Sequence, residues 1–100
     1  MILNIIEWLE SRHIKANNAK MIQQAFIHSS YAHEHKNKND NERLEFMGDA
    51  VLQLWSSNAI YPLNLSEGHM TRLRAQLVCE KALAIYGRQL HLNDYLLLGS

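Results

Sequence analysis

The sequence predicts an all-α protein, a bundle of four or five helices. Apolar residues recur at helical spacing through most of the chain, as they do at Met70, Leu73 and Leu77. Residues suited to cap a helix precede several of these segments, among them Asn18 and Ser66. No segment combines an alternating apolar and polar pattern with the turn signals of a hairpin, so a sheet is not expected.

The composition fits one small folded domain. The 100 residues are 47% hydrophobic and 20% charged, which is typical of a globular protein and too hydrophobic for a disordered one. No apolar run has the length of a membrane span, and Glu7 and Glu10 interrupt the first apolar stretch, so a secretory signal is not expected. The one cysteine, Cys79, excludes an internal disulfide and favours a reducing, cytoplasmic location. We expect its side chain to pack within a helix.

The first part of the chain is expected to hold two helices and an exposed loop. Residues 2–13 have an amphipathic helical pattern, and a second helix is expected to begin after Asn18 and to reach at least Phe26. The polar composition of residues 32–41 predicts a loop. Lys36 and Lys38 in this loop could contact a phosphate backbone or simply keep the loop soluble.

A central helix is expected to run to about Ile60, with Asp40 or Asn41 as its cap and Pro62 beyond its end. Its large apolar side chains fall within about one third of the helix circumference, and we expect this side to face the core. The residues on it are Leu44, Met47, Val51, Leu54 and Trp55.

Three acidic residues lie together on the opposite side of this helix. Glu42, Glu45 and Asp49 fall within an arc of about 60°. Like charges at helical spacing repel one another by a few tenths of a kcal/mol, and carboxylate oxygens are the ligands that Mg²⁺ prefers. The row therefore favours a bound divalent cation, although an ordinary solvated acidic surface gives the same spacing.

Two residues beside the acidic row also suggest an approaching surface. Gly48 lies inside the helix, where glycine costs about 1 kcal/mol relative to alanine, so we expect something to come close to the backbone there. Phe46 lies at the margin of the acidic arc, where an exposed aromatic ring is expected only if another surface covers it.

A further helix is expected from Glu67 to about Gln89. Ser66 is its predicted N-cap, and Glu67 stands where an acid favours the helix dipole. Arg72 and Arg74 could contact phosphate groups of a ligand, or one of them could pair with an acid of the central helix. The side expected to be buried carries Met70, Leu73, Leu77, Val78, Ala84 and Ile85.

Residues 42–52, Glu-Arg-Leu-Glu-Phe-Met-Gly-Asp-Ala-Val-Leu, resemble the signature of the ribonuclease III family, the double-stranded-RNA endonucleases. The one departure within the signature is Met47, where leucine is usual. Residues 24–31, 65–78 and 95–99 resemble further segments of the family, in the same order. The resemblance implies that residues 1–100 form part of one catalytic domain of the ribonuclease III type.

The resemblance also implies a function. It implies an endoribonuclease that hydrolyses double-stranded RNA during RNA processing, depends on Mg²⁺ and accepts Mn²⁺ in its place. Glu45 and Asp49 match the catalytic acids that bind the metal, Glu42 and Glu67 match auxiliary acids, and Phe46 matches an aromatic side chain that contacts a dimer partner. A homodimer is implied, without a small-molecule cofactor and without membrane association.

Two features set this chain apart from the family pattern. Its ten basic and ten acidic side chains cancel, which is unexpected for an RNA-binding protein unless metal ions or a separate basic module supply part of the attraction. The family completes its metal site with an Asp and a Glu on a later helix and often adds a double-stranded-RNA-binding domain, and neither is found here. We therefore expect a C-terminally truncated catalytic domain that leaves core surface bare and is weak or inactive alone.

Two other functions remain open from the sequence. One is a non-catalytic relative that binds RNA or serves as a scaffold. The other is a helical interaction module in which the acids are ordinary surface.

Overall fold

A computed structural model describes residues 4–36 and 39–100. These residues form α1 (Ile5–Ser11), α2 (Ala19–Ala25), α3 (Ser29–Glu34), α4 (Glu42–Ile60), α5 (Glu67–Val78) and α6 (Glu80–Gln89), with 3₁₀ turns at Tyr61–Leu63 and Leu92–Tyr95. The all-α class is confirmed, with six α-helices in the described residues where four or five were expected. None of the described helices is both long and apolar enough to cross a membrane.

The chain divides into two compact units. The first contains the described residues up to Glu45 together with His91–Ser100, and the second is Phe46–Leu90. The boundary falls within α4, so the first turn of this helix belongs to one unit and the rest of the helix to the other.

Side-chain caps fix the first two helices. Asn4 Oδ1 accepts a hydrogen bond of 2.9 Å from the N–H of Ile6, and Asn18 Oδ1 accepts one of 3.0 Å from the N–H of Met21. The predicted cap at Asn18 is therefore confirmed. The helix that follows it ends at Ala25, before the expected boundary, and residues 1–3 of the first predicted helix lie outside the described residues.

The predicted loop is partly wrong, because α3 occupies its first residues. His28 Nδ1 accepts a hydrogen bond from the N–H of Ser30 and caps this helix. The rings of Tyr31 and His35 stack one turn apart, with 3.9 Å between their centroids. A mostly polar segment can therefore form a short helix. Lys36 follows it and is exposed, whereas Lys38 lies outside the described residues.

The last residues of the chain pair with the segment between α2 and α3. Leu97 donates a backbone hydrogen bond to the carbonyl of Phe26 and accepts one from the N–H of His28. The Gly99 N–H then donates to Ser30 Oγ at 2.8 Å. A Cβ on Gly99 would lie only 2.7 Å from the Ser30 carbonyl oxygen, so this close approach requires glycine.

The sidedness predicted for α4 is wrong. Its least exposed residues recur at every fourth position and are Leu44, Gly48, Leu52, Ser56 and Ile60. Ser56 is fully buried. The large residues expected in the core are instead 59% to 64% exposed, namely Met47, Val51, Leu54 and Trp55. In the described residues no element covers these four side chains.

The helix predicted from Glu67 to Gln89 is interrupted. Ser66 caps its start by accepting from the N–H of His69, as predicted. At Cys79 the backbone becomes extended, with ψ of 159°, and its Sγ accepts from the N–H of Ala82 to begin α6. Cys79 is exposed, so the expected packing role is wrong. Of the predicted buried side, Met70, Leu73, Leu77 and Val78 are half-buried, but Ala84 and Ile85 are exposed.

Candidate metal and nucleic-acid site

Two polar residues fix the start of α4. Asp40 Oδ1 accepts a hydrogen bond of 3.1 Å from the N–H of Glu42, so Asp40 is the residue whose side chain caps the helix. Asn41 points elsewhere, because its Nδ2 donates to the carbonyl of Ala25 at 2.9 Å. The N–H of Asn41 donates to the carbonyl of Ile27, also at 2.9 Å. These bonds set where the acidic face of α4 begins.

The predicted acids of α4 are all exposed. Glu42, Glu45 and Asp49 lie on one continuous helix, and Glu45 and Asp49 are one turn apart on the same side. Mg²⁺ is commonly bound by one or two carboxylates together with water and substrate phosphate, and this pair fits such a role. In the residues that the structure describes, no group of three or more potential ligands forms, so the pair offers part of a ligand set.

A cleft of about 240 Å³ lies between the end of α4, the 3₁₀ turn after it and α5. We call it the Arg74 cleft; it is lined by Ser57, Ile60, Tyr61, Glu67, Met70, Thr71 and Arg74. Glu67, the predicted auxiliary acid, is exposed at the start of α5. The structure therefore places Glu67 in the same cleft as a guanidinium group.

Arg74 makes a specific contact across this cleft. Its Nη1 donates to Ser57 Oγ at 2.9 Å, and the Ser57 hydroxyl donates to the carbonyl of Gln53 at 2.6 Å. The sequence reasoning missed Ser57. A signal was nevertheless present, because Glu45, Asp49, Gln53 and Ser57 follow one another at every fourth position of α4.

Arg72 lines a different cleft from Arg74. Arg72 is exposed and borders a shallow depression of about 230 Å³ together with His69, Leu73 and Gln76. The two arginines were both predicted as RNA contacts, and the structure does not bring them to one cleft.

The remaining predicted residues lie near the acidic face of α4. Phe46 is 76% exposed, as expected for an aromatic ring that needs a covering surface. A Cβ built on Gly48 would have nothing within 4 Å apart from the neighbouring helix backbone. The expected close approach to Gly48 is therefore not made by the described residues of this chain.

The fold and the site define a helical domain that presents paired carboxylates on an exposed helix face. Residues 18–100 match the Ribonuclease-III-like family. The chain is 47% identical to Ribonuclease 3 of Listeria innocua, over 93% of this chain and 42% of that protein. It is 48% identical to Ribonuclease 3 of Bacillus velezensis, over 93% of this chain and 39% of that protein. The chain belongs to the ribonuclease III family.

A solved structure agrees with this assignment. The nuclease domain of ribonuclease III from Campylobacter jejuni, described as structurally flexible in a region involved in dimer formation, matches with a TM-score of 0.83 and 34% identity. The match covers 96% of this chain and 66% of that one. The chain spans about two fifths of the length of the curated relatives it matches.

Proposed function

We propose that this chain is part of an endoribonuclease that hydrolyses double-stranded RNA, depends on Mg²⁺ and accepts Mn²⁺ in its place. The observation that carries the proposal is the exposed carboxylate pair of Glu45 and Asp49 on α4. It lies within the residues that match the family. A cytoplasmic location belongs to the proposal, because one exposed thiol suits a reducing compartment.

The chemistry requires stabilisation of negative charge. When a phosphodiester is hydrolysed, charge develops on the attacking and the leaving oxygen. Glu45 and Asp49 would hold a divalent ion, which when bound supplies charge stabilisation and lowers the pKa of its water. Glu42, on the same side of α4, would add negative potential that attracts the ion. Contacts to RNA phosphates are assigned to Arg72, Arg74, Lys36 and Lys38.

The proposal includes a homodimer. Phe46 projects an aromatic ring into solvent next to the acidic face, and such rings serve as anchors at protein interfaces. A two-fold dimer would present two equivalent sites to the two antiparallel strands of a duplex. The dimer formation described for the Campylobacter jejuni nuclease domain supports this assignment.

Mg²⁺ should stabilise the folded protein through the carboxylate pair. At an ion concentration about ten times its Kd, binding raises Tm by about 5 °C or more in a domain of this size. Glu45→Gln and Asp49→Asn should remove this response, because an amide carries no charge to bind the ion. The measurement is thermal denaturation followed by circular dichroism, with and without Mg²⁺ or Mn²⁺.

Glu10→Gln is the matched control for this measurement, because Glu10 is an exposed acid on α1. It should leave the metal response unchanged. If neither ion changes the Tm of the parent protein, the metal site is excluded and the helical interaction module is favoured. The exposed apolar side of α4 is consistent with such a module.

Phe46→Ala should shift the protein from dimer toward monomer. The ring is 76% exposed in the single chain, so its removal should change the stability of the monomer little. In a dimer the same substitution removes a buried aromatic contact and should weaken association. The measurement is multi-angle light scattering over a range of concentrations. Met21→Ala, which removes another exposed apolar side chain, should leave the mass unchanged, and an unchanged mass for Phe46→Ala would dismiss the anchor.

A non-catalytic RNA-binding relative remains the second candidate. The chain carries no net charge, and in the described part of the chain the acids do not assemble into a complete metal site. Loss or retention of RNA cleavage separates this candidate from the nuclease.

A further inference from the structure

We propose that the Arg74 cleft binds one nucleotide unit of an RNA strand, with Arg74 on a backbone phosphate and Glu67 accepting a hydrogen bond from a ribose hydroxyl. This inference rests on the proposed function and extends it, because it assigns Glu67 to recognition of the sugar. It also makes Ser57 a positioning residue for Arg74.

The hydrogen bond between Ser57 and Arg74 has a fixed direction. The Ser57 hydroxyl has one hydrogen, which it donates to the carbonyl of Gln53 at 2.6 Å. Its oxygen is therefore left as an acceptor for Arg74 Nη1, at 2.9 Å. The guanidinium is thus held in place by a neutral hydroxyl group, and its positive charge stays available to a ligand.

Arg74 retains hydrogen-bond donors that a ligand can use. A guanidinium has several N–H donors in a planar fork that matches phosphate oxygens, and one of them is used by Ser57. Arg74 is half-buried, and among the described residues no buried side-chain nitrogen or oxygen lacks a partner. Its remaining nitrogens therefore keep access to solvent, and a phosphate in the cleft can reach them.

The cleft is lined by one acidic and one basic side chain. Glu67 and Arg74 lie two turns apart on the same side of α5, and both line the cleft. A phosphate alone would be attracted by Arg74 and repelled by Glu67. A ribonucleotide unit satisfies both residues, because its 2′-hydroxyl can donate to a carboxylate, and this group distinguishes RNA from DNA.

The walls and the size agree with a segment of a strand. Tyr61 and Thr71 add hydroxyl groups, while Ile60 and Met70 add apolar surface. The volume of about 240 Å³ is below the range of about 300–1,000 Å³ that is usual for pockets enclosing a whole drug-sized ligand. One unit of a longer chain therefore fits better than a separate small molecule.

The first test measures binding of the full chain to a duplex RNA and to a DNA duplex of the same sequence. Fluorescence anisotropy is recorded over a range of salt with Ca²⁺ in place of Mg²⁺, and a gel checks that the RNA is intact. Arg74→Gln should weaken RNA binding about tenfold and reduce the salt slope by about 0.9. Arg88→Gln loses the same charge on α6, outside the cleft, and should change Kd less than about twofold.

The second test concerns the ribose. Glu67→Ala should reduce the preference for RNA over DNA about fivefold, as expected for one lost hydrogen bond. Glu80→Ala is the matched control, because Glu80 is the first residue of α6 as Glu67 is of α5. Ser57→Ala, which keeps every charge, should weaken RNA binding about threefold by releasing the guanidinium.

The outcomes separate the two proposals. A parent protein that binds no duplex RNA contradicts the proposed function itself. The cleft assignment is overturned, and the proposed function stands, if the parent binds RNA and two further results are found. The first is that folded Ser57→Ala binds RNA with the parental Kd. The second is that Glu67→Ala and Glu80→Ala have the same preference for RNA over DNA. Circular dichroism establishes that each variant is folded. If Arg74→Gln does not fold, the Ser57 and Glu67 variants alone test the cleft assignment.

Discussion

Asp49→Asn is expected to lower the rate of metal-dependent duplex RNA cleavage at least about a hundredfold in a longer protein that contains this chain. A bound metal ion contributes several kcal/mol of transition-state stabilisation, and each 1.36 kcal/mol is about a factor of ten in rate. Asparagine keeps the size of the side chain, so α4 should be unaffected. The measurement is the initial rate of cleavage of a long duplex RNA in Mg²⁺.

Asp94→Asn is the matched control, because Asp94 is an exposed aspartate of the second 3₁₀ turn. It should cleave at the parental rate. Glu45→Gln should lose as much as Asp49→Asn, and the double variant should lose little more than either, since residues that hold one ion act as a unit. Parental cleavage by Asp49→Asn would remove this residue from the catalytic assignment.

Local signals explain what the sequence predicted well. Asn18 and Ser66 cap their helices as expected, because a short side chain bonds an N–H only two or three residues away. The end of α4 before Pro62 is equally local, since proline disfavours helical backbone in the residue before it. Such features depend on a few neighbouring residues and need no knowledge of the tertiary fold.

Other features were missed because their signals are weak or unusual. Cysteine is not among the usual N-cap residues, so the break at Cys79 could not be distinguished from a continuous helix. The helix α3 is short and mostly polar, and its composition is equally typical of a loop.

The candidate site was predicted in part. Helical spacing correctly placed the carboxylates of Glu45 and Asp49 on one exposed side of α4. It could not assign Arg74, because its hydrogen-bond partner Ser57 lies 17 residues away in sequence and becomes a neighbour only in the folded chain. Contacts between two helices can be predicted only when the tertiary fold is known, because periodicity within one helix does not indicate which residues of another helix lie beside it.

The buried side of α4 could not be predicted from the sequence for the same reason. Periodicity identified an apolar side, but which side is buried depends on the elements that lie against the helix. In the described residues the buried side carries Ser56 and Ile60, while the larger apolar residues are exposed. This difference makes a direct prediction about stability.

Ile60→Ala should lower the free energy of unfolding by about 2–5 kcal/mol, and Leu54→Ala should change it by less than about 0.5 kcal/mol. Both substitutions remove three carbons from α4, but Ile60 is 3% exposed and Leu54 is 64% exposed. Removing a buried side chain loses its transfer free energy and leaves a cavity, whereas solvent already surrounds the exposed one. The measurement is urea denaturation followed by circular dichroism.

The size of this loss matters because the core is small. Ile5, Ile27 and Ile60 are the only buried apolar residues among those described, and a domain is typically stable by about 5–15 kcal/mol in total. Ile60→Ala should therefore remove a large share of the total free energy of unfolding. The opposite order, with Leu54→Ala the more damaging, would show that the apolar side of α4 is buried in solution, as its periodicity alone predicts.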